Sequence, residues 1–196
     1  MASIVTNRGS YLMLSGDVDL RDHVIKVVLL DSTFAPVATI NTISEITSDE
    51  LSGTGYTGGF AGSGRKTLAN KTLTENDTDG VAIFDADNLT WTGINAGTFK
   101  TAAIVREVTT DADSPVLGLI TFPTTATSGG DLLLAWSTNG IFRITTGDVS
   151  NVNVRRVTYT ATGAEGTDFT VTIGGAAMAS DDYEVLWAPK GVTTVP

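Results

Sequence analysis

The chain contains no cysteine and no glutamine, only one histidine, and few lysines. Without cysteine there is neither a disulfide framework nor a thiolate metal site, so we expect its stability to come from packing or association. The N-terminus MASIVTNRG lacks the long apolar run of a signal peptide, and no later stretch has the length of a membrane-spanning helix. We therefore expect a soluble chain, made in a reducing cytoplasm and without a membrane partner.

Positive charge is scarce as well. The 12 Lys and Arg residues are outnumbered by 22 Asp and Glu residues, which gives a formal net charge of −10. Surfaces that bind nucleic acid need clustered Lys and Arg. The only adjacent basic pairs, Arg65-Lys66 and Arg155-Arg156, are typical of solvated strand positions. The sequence thus predicts no nucleic-acid partner, and its acidity favours solubility at high local concentration.

What the chain has in abundance is Thr, Gly, Val, Ile, Asn and Asp, the balance of many short strands joined by turns. We predict an all-β fold: an antiparallel β-sandwich or barrel-like main domain with one short helix, plus a small C-terminal β unit. A length of 196 residues fits one main domain with a small appendage. We place the main domain at 1–148, with an N-terminal arm at about 1–20, and the second unit at 149–196.

The organising stretch of the predicted main domain is residues 131–144, DLLLAWSTNGIFRI. Leu132, Leu134 and Trp136 share one face at period two, while Leu133 takes the other. This pattern predicts a strand buried on both faces. Asn139-Gly140 then predicts a tight turn, which makes either a hairpin or a sharp corner.

Other segments complete the predicted sheets. Residues 23–30, HVIKVVLL, are almost continuously apolar and predict a strand near the centre of a sheet. Further strands are predicted at 66–74, 81–84, 101–108 and 115–122, with the first two joined by a turn at 76–80 and the last two paired with each other. Ile40, Ile43 and Ile46 recur at threes and predict the short helix. Near the N-terminus, a turn at residues 7–9 between two apolar clusters predicts an arm or edge strand.

The C-terminal stretch, residues 154–196, predicts three more strands. Their inward faces carry alternating apolar side chains: Val157, Tyr159 and Ala161; Phe169, Val171 and Ile173; Tyr183, Val185 and Trp187. Three strands in about forty residues bury too little apolar surface to be stable alone. We expect this unit to dock on the main domain, on another copy, or on another protein.

A glycine-rich loop, GTGYTGGFAGSG at 53–64, carries two near-motifs. Residues 53–58 spell GxGxxG, but a dinucleotide fingerprint needs a strand before it and a helix after it. Residues 59–67, GFAGSGRKT, resemble a phosphate loop, but Arg65 interrupts the pattern before Lys66. The alternative, a mobile surface loop that contacts a neighbour, is favoured.

Acidic residues and the single histidine give no predicted site. Glu75, Asp77 and Asp79 imitate the start of a calcium loop, but position twelve falls on Ala86 instead of a glutamate. The acidic pairs at spacing two are typical of turns and strand ends: Asp85 with Asp87, and Asp111 with Asp113. His23, followed by an apolar run, predicts a partly buried structural imidazole. We predict no catalytic, cofactor-binding or metal-binding residue, and no enzyme.

Several stretches together resemble small virion proteins of tailed bacteriophages, particularly head decoration (capsid cement) proteins. They lie within residues 22–144 and read HVIKVVLLDSTFAP, ELSGTGYTGG with KTL, FDADNLTWTG, TAAIVREV with PVLGLITF, and AWSTNGIFRI. The stretches VTYTATGAEGTDFTVTIG and YEVLWAP look like small β units appended to phage structural proteins. None of these stretches is a catalytic or ligand motif.

This resemblance implies a virion protein on the capsid exterior, self-associated as a homotrimer and clamping adjacent copies of the major capsid protein. A second hypothesis is a tail-tube, tail-tip or fibre-base protein. A third is a carbohydrate-binding module on the virion surface, for which Tyr56, Trp91, Trp136 and Trp187 are the candidate stacking residues. Period-two placement favours core burial for Trp91 and Trp136.

Overall fold

A computed structural model describes residues 3–145 and, further along, the backbone of 157–159, 171–173 and 176–177. Internal contacts divide the chain into two compact units, Met1–Thr146 and Gly147–Pro196. The elements are, in chain order, β1 (Ser3–Val5), α1 (Asn7–Ser15), β2 (Ile25–Asp31), β3 (Lys66–Thr67), β4 (Thr72–Asn76), β5 (Val81–Asp85), β6 (Leu89–Ile94), β7 (Gly97–Arg106), β8 (Val116–Thr127), β9 (Gly130–Leu134), β10 (Phe142–Thr145), β11 (Val157–Tyr159), β12 (Val171–Ile173) and β13 (Ala176–Ala177). The predicted all-β class with one short helix is confirmed.

The first unit is built around a five-stranded antiparallel sheet with the strand order β1-β8-β7-β2-β3. Its inner strands are buried on both faces, as their unbroken apolar runs require. One face packs side chains such as Val27, Leu29 and Ile104 into the larger core. The opposite face packs Val28 and Val105 into a second core. The strand predicted at 23–30 and the pairing of 101–108 with 115–122 are confirmed.

The one α-helix of the first unit is not at the predicted place. Residues 40–49 form two short 3₁₀ turns, Ile43–Glu45 and Thr47–Asp49, with Ile43 and Ile46 buried. The helix is α1, where a turn was predicted at residues 7–9. The Thr6 hydroxyl caps it by accepting from the Gly9 amide at 2.9 Å, and Gly16 ends it in the left-handed conformation at φ 78°. A Cβ on Gly9 would lie 2.3 Å from the Leu117 carbonyl oxygen, so glycine lets the helix touch β8 directly.

A second, three-stranded antiparallel sheet has the order β10-β5-β4. The hairpin between β4 and β5 turns at residues 77–80, as predicted. Phe142 of β10 stacks on Phe84 of β5 with ring centroids 6.1 Å apart. The Phe142 ring also lies over Gly118 of β8, where a Cβ would approach it to 2.6 Å. This ring therefore joins the second sheet to the first.

The stretch predicted to organise the domain is peripheral. Its strand, β9, pairs only with β6 in a two-stranded sheet, and its Leu133 side chain is 61% exposed, so the predicted burial on both faces is wrong. Gly140 makes the turn at φ 75°. Because β10 pairs with β5 and not with β9, the turn is a corner between sheets.

In the second unit, β11 pairs antiparallel with β12, and β12 pairs with β13. The first two of these lie within the strands predicted around Val157 and Val171. The third predicted strand, around Tyr183 and Trp187, lies outside the described residues. The docking of this unit stays a prediction.

Candidate functional site

The glycine-rich loop lies at the surface, as predicted, with most of its residues exposed, but it is anchored at its base by a buried ionic network. Arg65 is only 5% exposed, so its predicted place on a solvated strand is wrong. Its guanidinium donates from Nε to Glu50 Oε1 at 2.8 Å and from Nη2 to Glu50 Oε2 at 2.6 Å. It also reaches Asp111 in the β7–β8 loop, with Nη2 3.1 Å from Oδ2. One side chain thus ties together three separate loops.

Tyr56, in the middle of the glycine-rich loop, extends this network into the core. Its hydroxyl donates to Glu50 Oε1 at 3.1 Å and accepts from the Leu29 amide of β2 at 3.0 Å. Its ring is fully buried beside Trp91, with centroids 6.5 Å apart. Gly64 lies flat against that ring, since a Cβ there would stand 2.5 Å from Tyr56 Cδ1. Tyr56 therefore anchors the loop in the core, while most other loop residues stay exposed.

Burial and charge act together on the ionisable groups of this network. Burial raises the pKa of the Tyr56 hydroxyl well above its ordinary value, and the neighbouring Glu50 carboxylate raises it further. Burial alone would lower the pKa of Arg65, but its hydrogen bonds to Glu50 and Asp111 outweigh that effect and raise it. Tyr56 stays neutral and Arg65 stays charged, as a structural tie requires.

The backbone amides of the loop show why neither phosphate-type motif is built. Phosphate loops present their amides to the ligand. Here the Gly59 amide donates to Glu50 Oε2 at 3.0 Å, while the amides of Gly53 and Gly64 donate to carbonyls of the same loop. The loop lies between a 3₁₀ turn and β3, with no helix after it. These three donors therefore bind acceptors of the chain itself.

Two of the acidic candidates hold turns. In the β4–β5 turn, Asp79 Oδ2 accepts from Asn76 Nδ2 at 2.8 Å. Asp113 accepts from the hydroxyls of Thr109 and Thr110, which lower its pKa. Among the residues that the structure describes, no three His, Cys, Asp or Glu side chains are grouped to hold a metal ion.

The single histidine is half-buried, as predicted. Its Nδ1 accepts from the Asp19 amide at 3.0 Å, an intrachain contact that orders the turn before β2. The imidazole thus makes a structural contact.

Of the four aromatic residues considered for sugar stacking, two are buried in the core. Trp91 and Tyr56 are both 1% exposed, and the Trp91 indole donates to the Gly64 carbonyl at 2.6 Å. Trp136 is half-buried, and its indole donates to the Asp87 carbonyl at 3.0 Å. Trp187 lies outside the described residues. The burial predicted for Trp91 is confirmed, while Trp136 is only partly buried.

Apolar side chains do reach solvent at the outer surface of α1. Leu12 and Gly9 face the sheet, while Tyr11 and Leu14 point outward and are 60% and 88% exposed. The Arg8 guanidinium lies over the Tyr11 ring, 5.5 Å from its centroid. We call Arg8, Tyr11 and Leu14 the α1 face. A leucine and a tyrosine exposed next to each other on one helical face offer apolar area to a partner.

Comparison with known proteins adds no assignment to this surface. The chain matches no protein-family model, and comparisons with curated proteins and with solved structures found no similar protein. Within the described part of the chain, no helix reaches the length and apolarity that crossing a membrane requires. The function is therefore inferred from the residues themselves.

Proposed function

We propose that the chain is a structural protein of a tailed-bacteriophage virion, which binds the outer capsid surface and stabilises the lattice of the major capsid protein. The proposal begins from the resemblance of residues 22–144 to head decoration proteins. The single observation in the fold that carries it is the α1 face, because Tyr11 and Leu14 stand in solvent on a helix whose other side is fixed to the sheet.

A weak contact of this kind is sufficient on a capsid shell, where it is repeated many times. Burying one leucine side chain contributes about 1.5–3 kcal/mol, so the α1 face gives a weak contact for a single copy. Many copies on a repeating lattice add their contributions, and subunits bridged by one copy are held together without strong individual binding. A rigid unit, with its loops tied by Arg65, loses little conformational entropy on binding. The net charge of −10 opposes aggregation of free copies before assembly.

A binding experiment with phage heads tests this proposal. Heads from a phage deleted for this chain are incubated with the purified protein and sedimented. We expect saturable binding, and we expect Leu14→Asp to weaken it at least tenfold, because the variant loses the apolar contact and desolvates a carboxylate. Leu133→Asp is the matched control, since Leu133 is also an exposed leucine but lies on β9.

The outcomes separate the parts of the proposal. Absence of binding to heads, with binding to tails or tail tubes instead, would overturn the decoration role in favour of the tail hypothesis. Binding that Leu14→Asp and Leu133→Asp leave equally strong would retain decoration and reject the α1 face as its contact.

A further inference from the structure

The strand β4 has an open edge. All five of its residues, Thr72–Asn76, are exposed, and its apolar residue Leu73 is 51% exposed. The strand pairs with β5 on one side, and among the described residues no strand pairs with its other side. An edge strand presents unpaired N–H and C=O groups to any partner strand of suitable sequence.

The sequence around β4 is complementary to itself in one antiparallel register. If Leu73 lies opposite Leu73 of a second copy, Thr72 faces Thr74, and Lys71 faces Glu75. Each of the last two pairs occurs twice by symmetry. Opposite charges, threonine pairs and apolar pairs are the cross-strand combinations that stabilise antiparallel strands.

This register also places the charged side chains beside the central leucine pair. Alternate residues of a strand share a face, so Leu73 and Glu75 project to the same side of the sheet, and Lys71, directly before the strand, continues the same alternation. The central leucine pair is then flanked on both sides by a Lys–Glu pair. Lys71 Nζ already donates to the His23 carbonyl, but an ammonium group has three donors and retains two for a carboxylate.

We propose that two copies of the chain pair antiparallel through β4, with Leu73 on the two-fold axis. The two three-stranded sheets then join into one sheet of the order β10-β5-β4-β4-β5-β10. The interface is isologous, so it makes a two-fold pair. This proposal does not depend on the capsid role, and the homotrimer implied by the resemblance would need a different surface.

A neighbouring register is the main competitor. With Thr74 on the axis, Lys71 would face Asp77, but Leu73 would face Glu75 instead of a second leucine. That register leaves Glu75 without a basic partner. Charge reversal at residue 75 therefore distinguishes the two registers.

The first test measures solution mass by sedimentation equilibrium over a concentration series of the full chain. We expect a reversible dimer. Glu75→Lys places a second ammonium group opposite Lys71 and should weaken the dimer about tenfold, and the double variant K71E/E75K should restore it to within about threefold of wild type. Asp22→Lys is the control, because it makes the same charge change at an exposed residue outside β4.

A monomer at all concentrations overturns the proposal. So does a wild-type assembly that Glu75→Lys leaves unchanged, or a double variant that remains as weak as Glu75→Lys alone.

The second test uses the absence of cysteine from the chain. Opposed residues in an antiparallel pair have Cβ atoms about 4.5–5.5 Å apart, close enough for a disulfide after small adjustments. Leu73→Cys should therefore form a covalent dimer under mild oxidation at dilute concentration, much faster than Leu133→Cys on β9. Equal rates of cross-linking for the two variants would overturn the proposed register.

Discussion

The glycine-rich loop and the β4–β5 hairpin differ in whether their polar groups point into the protein or into solvent. The Gly59 amide of the loop and the side chain of Arg65, which follows the loop, point inward: Glu50 accepts from both, and Asp111 accepts from Arg65. The hairpin leaves a whole strand edge in solvent, with Leu73 beside it. The segment predicted to be a mobile loop is anchored to the core by these hydrogen bonds, and a segment predicted to be ordinary framework has an open strand edge. Glycine content alone therefore does not identify the surface that is free to interact.

Removing Arg65 should have the largest effect on this difference, because it removes the side chain that anchors the glycine-rich loop. Arg65→Ala leaves the Glu50 carboxylate buried without its cation, and we expect a loss of about 3–5 kcal/mol in the free energy of unfolding. Urea denaturation followed by fluorescence measures it. Arg143→Ala, at an exposed arginine of β10, is the control and should cost less than about 0.5 kcal/mol. A loss below about 1 kcal/mol for Arg65→Ala would mean that the network does not hold the loop.

Removing one hydroxyl group gives a smaller effect. Tyr56→Phe keeps the buried ring but leaves the Leu29 amide without its acceptor, and we expect a loss of about 1–3 kcal/mol. Hydrogen exchange at the Leu29 amide should become faster in the variant, while exchange of the Val28 amide serves as an internal reference. Unchanged exchange at Leu29 would argue against the tie between the loop and β2.

The same hydroxyl predicts a dependence on alkaline pH. Since the pKa of Tyr56 is higher in the folded chain than its ordinary value of 10.0, the folded state holds this proton more tightly than the unfolded state. The contribution of Tyr56 is therefore fully present below about pH 10 and declines as pH rises above it. As the pH rises above about 10, wild type should lose stability more steeply than Tyr56→Phe. Parallel curves from denaturation at several pH values would contradict this.

The smallest stability effects belong to the open surfaces. Leu73→Ser and Tyr11→Ser should each change the free energy of unfolding of the monomer by less than about 0.5 kcal/mol, because both side chains are exposed. Thermal unfolding of dilute protein provides the measurement. A loss of several kcal/mol for either variant would mean that the residue supports the fold and is not held for a partner.

Strong local patterns predicted the framework correctly. The apolar run at β2 forms a strand, as predicted. The turn signals between β4 and β5 form the hairpin turn, and Trp91 is buried as its alternation predicted. In each case the signal lies within a few residues, and its consequence is local pairing or burial.

The failures share a long-range cause. The sequence indicated a turn at Gly9, but the structure has glycine within α1, where the Leu117 backbone leaves no room for a side chain. Arg65 looked solvated, but its partners are 15 and 46 residues away in the chain. The pattern around Leu133 predicted cover on both faces, but the Leu133 side chain is 61% exposed. The open edge of β4 likewise follows from the sheet order, which no short pattern contains.

The most direct test of the proposed function is single-particle electron cryomicroscopy of virions, comparing wild type with a mutant deleted for this chain. We expect difference density on the outer face of the shell, repeated with the lattice of the major capsid protein and large enough for the first unit. Difference density confined to the tail or to a single vertex, or no difference at all, would contradict it.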